Sequence, residues 1–395
     1  MTSSTALQKR IKRHIAGREH RFFAATAPGL ERVCREELNS LLSPGVHIAA
    51  VDGGVEFDGR LHDCYRSNLS LRTANRVLMR IGSFYAADFR QLENRLGDIP
   101  WELYLYAGTG TRIHATSRQS RLYHKDAVAE RVEKSISFRF RQCKIPQRPC
   151  PVPTGIQRLF VRMSQNDVTL SIDSSGELLH KRGLKPQTAK APLRETIAAA
   201  ALILAGYTGS EPLIDPMCGS GSFSLEAAHM VLQVPPGWHR EFAFMNWPSF
   251  QPGRWKHLRQ LAEIQFRKID APVIFASDRD EEAVAALKET LSRQGLTEVV
   301  SAGARNFFDF LPKNLTDLPG LVVLNPPFGR RLGSRQDSDR LFTDVCRWLQ
   351  TQYRGWKFAL IAPRTALIDK VPFKSVVHIL PLGGLKVALL TGRIP

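Results

Sequence analysis

The chain has 395 residues, 43% of them hydrophobic and 9% aromatic, with 55 Lys and Arg against 37 Asp and Glu. That length predicts two or three domains, and the aromatic content excludes a largely disordered chain. The formal charge of +18 favours a polyanionic partner; nucleic acid comes ahead of an anionic membrane, because no basic amphipathic membrane helix stands out.

The first twenty or so residues, "MTSSTALQKRIKRHIAGREH", read as a basic tail without the apolar segment of a secretory signal. "RFFAATA" reads as a strand and "GLERVCREELNSLL" as an amphipathic helix, with Leu30, Val33, Leu38, Leu41 and Leu42 at helical spacing. "TRIHATSRQS" is predicted to be a strand with Ile113 and Ala115 on one face. Asp126 is expected to cap the helix after it, whose buried stripe is Val128, Val132, Ile136 and Phe140. Between Arg112 and Arg148 stand ten Lys and Arg against three acids. Arg112, Arg118, Arg121, Lys125, Arg139 and Arg141 are therefore candidates for phosphate contact. A Pro-rich loop, "CKIPQRPCPVPTG", leads into the strand "QRLFVRMSQNDVTLSID", and the polar stretch 174–192 approaches a new domain.

The six cysteines are scattered, with no CxxC pair, which reads as reduced thiols in a cytoplasmic protein. Cys143 and Cys150 stand without a second close pair, so no metal is expected. No apolar run reaches the ~18 residues of a membrane span, and no feature calls for an obligate protein partner.

After residue 190 the pattern becomes a βα alternation. The strands are "PLID", "PVIFASD", "EVVSAGA", "LVVLNPP" and "KFALIAP", closed by the hairpin "SVVHIL–PLGG–KVALLTG". Five parallel strands and an antiparallel edge make a doubly wound sheet. Its first strand ends in "DPMCGSG", where Gly219 and Gly221 allow a tight turn and close ligand approach at a helix start. The third glycine of the dinucleotide fingerprint is missing, Ser224 standing there, which counts against NAD. Asp278 ends the next strand, where a carboxylate accepts both hydroxyls of a ribose, and Asp280 is the better candidate for a helix cap. Asn306 is placed to bond an adenine edge, with Phe307 beside it for stacking or packing.

"LVVLNPPFG" places Asn325, Pro326, Pro327 and Phe328 after the fourth strand. An exocyclic amine on a nucleobase is a poor nucleophile but a good hydrogen-bond donor. The Asn325 carboxamide oxygen and the Pro326 carbonyl, restrained by Pro327, supply two acceptors for its hydrogens. Phe328 offers a ring for the base to stack on.

This constellation resembles the class I S-adenosylmethionine-dependent methyltransferases that modify exocyclic amines. "APLRETIAAAL", "LHKRGLK" and the insert "PPGWHREFAFMNWPSF" are similar to the branch that methylates guanine N2 in bacterial large-subunit ribosomal RNA. The resemblance implies an α/β architecture: a C-terminal Rossmann-like methyltransferase sheet with an antiparallel last strand, after α+β ferredoxin-like and THUMP RNA-binding domains. The expected boundaries are a tail at 1–20, the ferredoxin-like part at 21–60, THUMP at 61–175, a linker at 176–190 and the catalytic domain at 191–395. The resemblance also implies S-adenosyl-L-methionine as cofactor. Asp215, Pro216, Cys218, Gly219, Gly221, Asp278, Asn306, Phe307 and Asn325 would bind it, and Asn325, Pro326, Pro327 and Phe328 would be catalytic. Asn306 stands where this family usually has an aspartate. The partner implied is RNA, ribosomal ahead of transfer.

Three other readings remain at this level. An N6-adenine methyltransferase uses N-P-P-F as well. A glutamine-amide protein methyltransferase has a similar tetrad, but the basic segment argues against it. A non-catalytic RNA chaperone that keeps the fold is opposed by the intact Asn325 and glycine turn.

Overall fold

The computed structural model describes residues 2–142, 155–183, 193–327, 335–362, 365–382 and 385–395. The chain divides into two compact units. The first comprises Met1–Thr26, Arg35–Leu179 and Arg240–Gln260; the second comprises Ala27–Cys34, His180–His239 and Leu261–Pro395. Among the described residues no helix is long and apolar enough to cross a membrane.

The first unit is built on a seven-stranded sheet. Its strands are β1 (His20–Thr26), β2 (Ile48–Val51), β3 (Gly54–Gly59), β4 (Ala74–Tyr85), β5 (Thr111–Arg118), β6 (Gln157–Ser164) and β7 (Asp167–Asp173), in the spatial order β2-β3-β1-β4-β7-β6-β5. With helices Glu31–Leu41 and Leu61–Ser70, the first four strands form the βαββαβ pattern of a ferredoxin-like fold. Its fourth strand lies at 74–85, beyond residue 60, where the sequence reading ends that part. All neighbours are antiparallel except β5 and β6, which are parallel and joined through the helix Lys125–Gln142.

Two local readings change. The segment read as one strand after residue 156 is a hairpin, β6–β7, turning at Gln165 and Asn166, whose φ angles are 54° and 66°. A two-residue turn needs such positive φ values, and glycine usually supplies them. Here Asn166 is held from outside: its N–H donates to Ser120 Oγ at 3.0 Å, and its Oδ1 accepts from the Arg121 N–H at 2.8 Å. Asp126 lies inside the first turn of its helix, which begins at Lys125.

Alternation along the strands separates the two faces of this sheet. Phe22, Ala24, Phe57, Val77, Met79, Leu159, Val161, Leu170 and Ile172 are buried on one face. The insert residues 240–260, expected in the catalytic domain, complete this unit's core. The Tyr65 ring stacks on Phe244 at 4.4 Å and meets Phe250 and Trp255 edge-on. Trp247 Nε1 donates to Gln157 Oε1 at 3.0 Å.

The second unit carries another seven-stranded sheet. Its strands are β8 (Leu213–Asp215), β9 (Ile274–Asp278), β10 (Val300–Ala304), β11 (Leu321–Leu324), β12 (Lys357–Ala362), β13 (Val376–Leu382) and β14 (Leu385–Arg393), in the order β10-β9-β8-β11-β12-β14-β13. Strands β8 to β12 are parallel and β14 runs antiparallel to both its neighbours, the Rossmann-like arrangement expected. The turn between β13 and β14 lies outside the described residues. Both faces are covered, as a parallel sheet requires. Leu213, Ile274, Leu321 and Val323 pack on one side and Ile214, Val322, Leu324 and Phe358 on the other. The strand order reverses between β8 and β11, and such a switch point opens a crevice at the carboxyl ends of the strands.

Candidate active site

A cleft of about 490 Å³ opens at that switch point, lined by the turns after β8, β9, β10 and β11. Seven of the expected cofactor residues line it directly: Pro216, Cys218, Gly219, Asp278, Asn306, Phe307 and Asn325, with Pro327 from the catalytic set.

The turn after β8 is organised by its own hydrogen bonds. The Gly221 N–H donates to the Cys218 carbonyl at 2.7 Å, and the Cys218 N–H to the Ser277 carbonyl at 2.9 Å. Gly221 sits at φ 73°, and a Cβ there would come within 2.4 Å of Leu287 Cδ1, so conformation and packing both demand glycine. At Gly219, φ is 49° and a Cβ would meet nothing within 4 Å: that backbone faces open space at the cleft. Asp215 is fully buried at the end of β8, and its Oδ2 accepts from Ser224 Oγ at 2.7 Å. The residue that breaks the dinucleotide fingerprint thus anchors the strand-end carboxylate. Burial pushes the Cys218 thiol far up, and the nearby carboxylates of Asp215 and Asp278 push it further. It stays protonated and is no nucleophile.

Asp278 joins the turns. Its Oδ2 accepts from the Gly219 N–H at 2.8 Å and its Oδ1 from the Asp280 N–H at 3.0 Å. Each oxygen keeps a further lone pair, which suits two hydroxyls of a sugar. Asp280 is the helix cap, accepting from the Ala283 N–H at 3.1 Å. Asn306 caps a short 3₁₀ turn: its Oδ1 accepts from the Phe308 N–H at 3.2 Å. Phe307 is 3% exposed, with its ring stacked on Tyr353. It is mainly a packing residue, and its neighbour Phe308, half-buried against Trp348, is the more open ring at the cleft. Sequence reasoning missed Phe308; nothing in "RNFFDF" says which of the two rings turns inward.

Asn325 follows β11 and is half-buried, and Pro326 after it is buried. Its Oδ1 is buried and has no hydrogen-bond partner among the described residues. A buried carbonyl left so costs ~1–3 kcal/mol. Phe328, expected to stack on the base, lies outside the described residues, as do Cys143 and Cys150.

The candidate phosphate contacts belong to the first unit. Arg112 and Arg118 are exposed on β5, and Arg121, Lys125 and Arg141 are exposed as well. Arg139 is a correction. Its Nε and Nη2 each donate at 2.9 Å to the carboxylate of Glu102, which is 1% exposed and also meets Arg10 at 2.9 Å. Burial pushes that carboxyl up, but the arginines outweigh it and hold it below the usual range. Arg139 therefore neutralises a buried acid from 37 residues away, a partnership no local pattern announces. Arg158 and Arg162 on β6 were missed, although "RLFVR" alternates in the period of a strand.

Comparison with known proteins agrees with this fold. Residues 182–374 match the family described as RMKL-like, methyltransferase domain, and residues 21–78 match the RlmL ferredoxin-like domain. A ribosomal RNA large subunit methyltransferase K/L of Syntrophotalea carbinolica is 32% identical over 366 residues, 90% of this chain and 51% of that protein. A putative RNA methyltransferase of Synechocystis sp. is 30% identical over 93% of this chain and 95% of its own length. Among solved structures, SMU.472, a putative methyltransferase complexed with SAH, superposes with a TM-score of 0.84 at 27% identity, covering 95% of this chain and 98% of that one. The chain spans about half the length of the K/L methyltransferases it matches, whereas the Synechocystis relative is matched nearly end to end. The chain belongs to the RMKL-like methyltransferase family.

Proposed function

We propose that the chain transfers a methyl group from S-adenosyl-L-methionine to the exocyclic N2 amine of a guanine in structured RNA, with 23S ribosomal RNA the first candidate. The observation that carries this reading is the buried Asn325 Oδ1, without a hydrogen-bond partner among the described residues, at the edge of a cleft where Asp278 already holds the Gly219 and Asp280 N–H groups. A buried acceptor at the edge of a cleft suits a donor that arrives with the substrate, and a base amine is such a donor. When bound, the sulfonium cofactor supplies an electrophilic methyl. The residues fit it. The Asp278 carboxylate would take the ribose hydroxyls, the open backbone at Gly219 the amino-acid portion, and Asn306 and Phe308 would border the adenine. Cys218 and Pro216 shape the turn, and Asp215 fixes it through Ser224.

Asn325 Oδ1 and the Pro326 carbonyl hold the two amine hydrogens and so direct the nitrogen lone pair at the methyl. The cofactor held by Asp278 and Gly219 would supply the methyl to that lone pair, and the nitrogen would release one proton to solvent. Orientation and electrostatics carry most of the acceleration. Phe328 receives the face of the unstacked guanine. The segment after the ferredoxin-like strands serves as a THUMP RNA-binding domain, with Arg112, Arg118, Arg121, Lys125 and Arg141 as its candidate phosphate contacts.

The test is transfer of radiolabelled methyl to ribosomal RNA from a strain lacking the gene, followed by digestion to nucleosides and chromatography. Label in N2-methylguanosine is expected. Label in N6-methyladenosine would replace the base assignment, and full transfer by Asn325→Ala would remove the mechanism.

A further inference from the structure

The sheet of the first unit is apolar and helix-covered on one face; its opposite face divides into two halves of different charge. On the β3–β1–β4 side each arginine has an acid: Arg21 pairs with Asp58, Arg80 with Glu56, and Arg76 with Asp173. On the β6–β5 side the balance fails. Arg158 meets Glu177 at 2.8 Å, but Arg112, Arg118 and Arg162 are exposed with no acidic partner among the described residues. The parallel register sets Arg112 directly beside Arg158, His114 beside Phe160, and Thr116 beside Arg162. Neighbouring strands lie ~4.8 Å apart, and two like charges in register oppose folding.

An aromatic pair sits in the middle of this cationic strip. The His114 and Phe160 rings stack at 5.0 Å with 21° between their planes. The Arg76 guanidinium lies 5.4 Å from the Phe160 centroid, while the imidazole of His114 stays exposed. Partial burial lowers the pKa of His114, and Arg76, Arg158 and Arg112 lower it further. A neutral ring results, ringed by fixed positive charge. Arg112 and Arg118 are six residues apart on one face of β5, about 20 Å at strand rise, which spans several phosphates of a single strand. Lys125 and Arg141 belong to the helix that packs its Val128, Val132 and Ile136 inward, and so serve a different surface.

We infer that the open β5–β6 face is a platform for unpaired RNA, on which one base stacks against His114 while Arg112, Arg162 and Arg118 hold the flanking phosphates. Stacking on an aromatic ring amid arginines is sequence-tolerant and favours single strands over duplexes. The platform deepens the RNA-methyltransferase reading and rests on it for the choice of RNA, but its test needs neither cofactor nor catalysis.

The measurement is fluorescence anisotropy of the full-length chain, without S-adenosylmethionine, against a fluorescein-labelled 15-nucleotide RNA of mixed sequence and a 16-base-pair RNA duplex, over a series of KCl concentrations. Arg112→Gln/Arg162→Gln should weaken single-strand binding at least tenfold and flatten the salt slope by about 1.4, at ~0.7 for each phosphate no longer neutralised. His114→Ala should weaken it about 5- to 100-fold, as expected when one base no longer stacks, with the slope unchanged; His114→Tyr should restore it. Arg90→Gln/Arg95→Gln, which removes the same charge from the helix-covered side, should change binding less than twofold. Equal loss from the Arg90/Arg95 and Arg112/Arg162 pairs would reduce the platform to net charge and overturn it. Larger loss from Lys125→Gln/Arg141→Gln would move the site to the helix. No response to His114→Ala, or preference for the duplex, would overturn the stacking. Methyl transfer can fail in every RNA tried while these binding results stand, so the two readings fail separately.

Discussion

The two halves of the cleft are built on opposite principles. On the β8–β9 side several polar groups already hold one another: Asp278 accepts from two backbone N–H groups, Asp215 Oδ2 accepts from Ser224, and Asn306 caps its own turn, while Ser277 Oγ is buried without a hydrogen-bond partner among the described residues. On the β11 side the Asn325 side-chain carbonyl is buried and has no hydrogen-bond partner among the described residues. The first half spends little on reorganisation when a ligand binds, because its dipoles are already set. The second presents an acceptor that a donor entering the cleft can satisfy. On the proposed reading, cofactor affinity and methyl transfer would fall to different strands.

The comparison breaks most visibly at Asn325. Asn325→Ala should lower methyl transfer ~10²–10³-fold, the range for losing one preorganised polar group, while calorimetry finds S-adenosylmethionine affinity within about twofold. A comparable loss of cofactor affinity would join the two halves. Asp278→Ala should do the reverse: cofactor binding ~10- to 150-fold weaker, from hydrogen bonds to a charged group worth ~1.5–3 kcal/mol, with the glycine turn loosened as well.

Stability sharpens the contrast. Gly221→Ala forces a left-handed φ on alanine and drives its Cβ against Leu287. A loss of about 2–4 kcal/mol is expected in thermal or denaturant unfolding. Asn325→Leu should be inactive yet gain up to about 1 kcal/mol, because a buried carbonyl oxygen without a partner among the described residues gives way to an apolar side chain. A lower melting temperature for that variant would mean the carbonyl is satisfied in solution.

The smallest effect is a control at the far ends of the strands. Lys357 Nζ donates to Glu211 Oε1 at 2.8 Å. Burial pushes the Glu211 carboxyl up, but Lys357 and Thr208 outweigh it and bring it to about 2. A depressed carboxylate contributes stability that is present above its usual titration range and lost as pH falls toward 2. Lys357→Met should therefore flatten the acid limb of the stability curve between about pH 5 and 2, leaving cofactor binding and transfer at neutral pH unchanged.

The site was legible where it is local. A strand end, a glycine turn and a short motif lie contiguous in sequence, so Gly219, Asp278 and Asn325 converge on one cleft as their order implies. The misreadings arise where distant residues decide. Arg139 looks like a free cation until Glu102 arrives from another loop. Phe307 and Phe308 are indistinguishable until Tyr353 packs on one of them. The Gln165–Asn166 turn carries no glycine, because Ser120 and Arg121 steady it from outside. The aromatic insert looks like part of the catalytic domain because it follows the glycine turn in sequence, but its rings answer to Tyr65.

That insert sets a timetable for synthesis. The first unit's core needs Phe244, Phe250 and Trp255 around Tyr65, and it receives them only with residues 240–260. A nascent chain that has emerged as far as residue 179 must wait for roughly 80 more residues, about 4–16 s at ~5–20 residues per second. Until then Tyr65 lacks the rings that cover it, so the first unit's core closes only after β8 and the glycine turn of the second unit have been made.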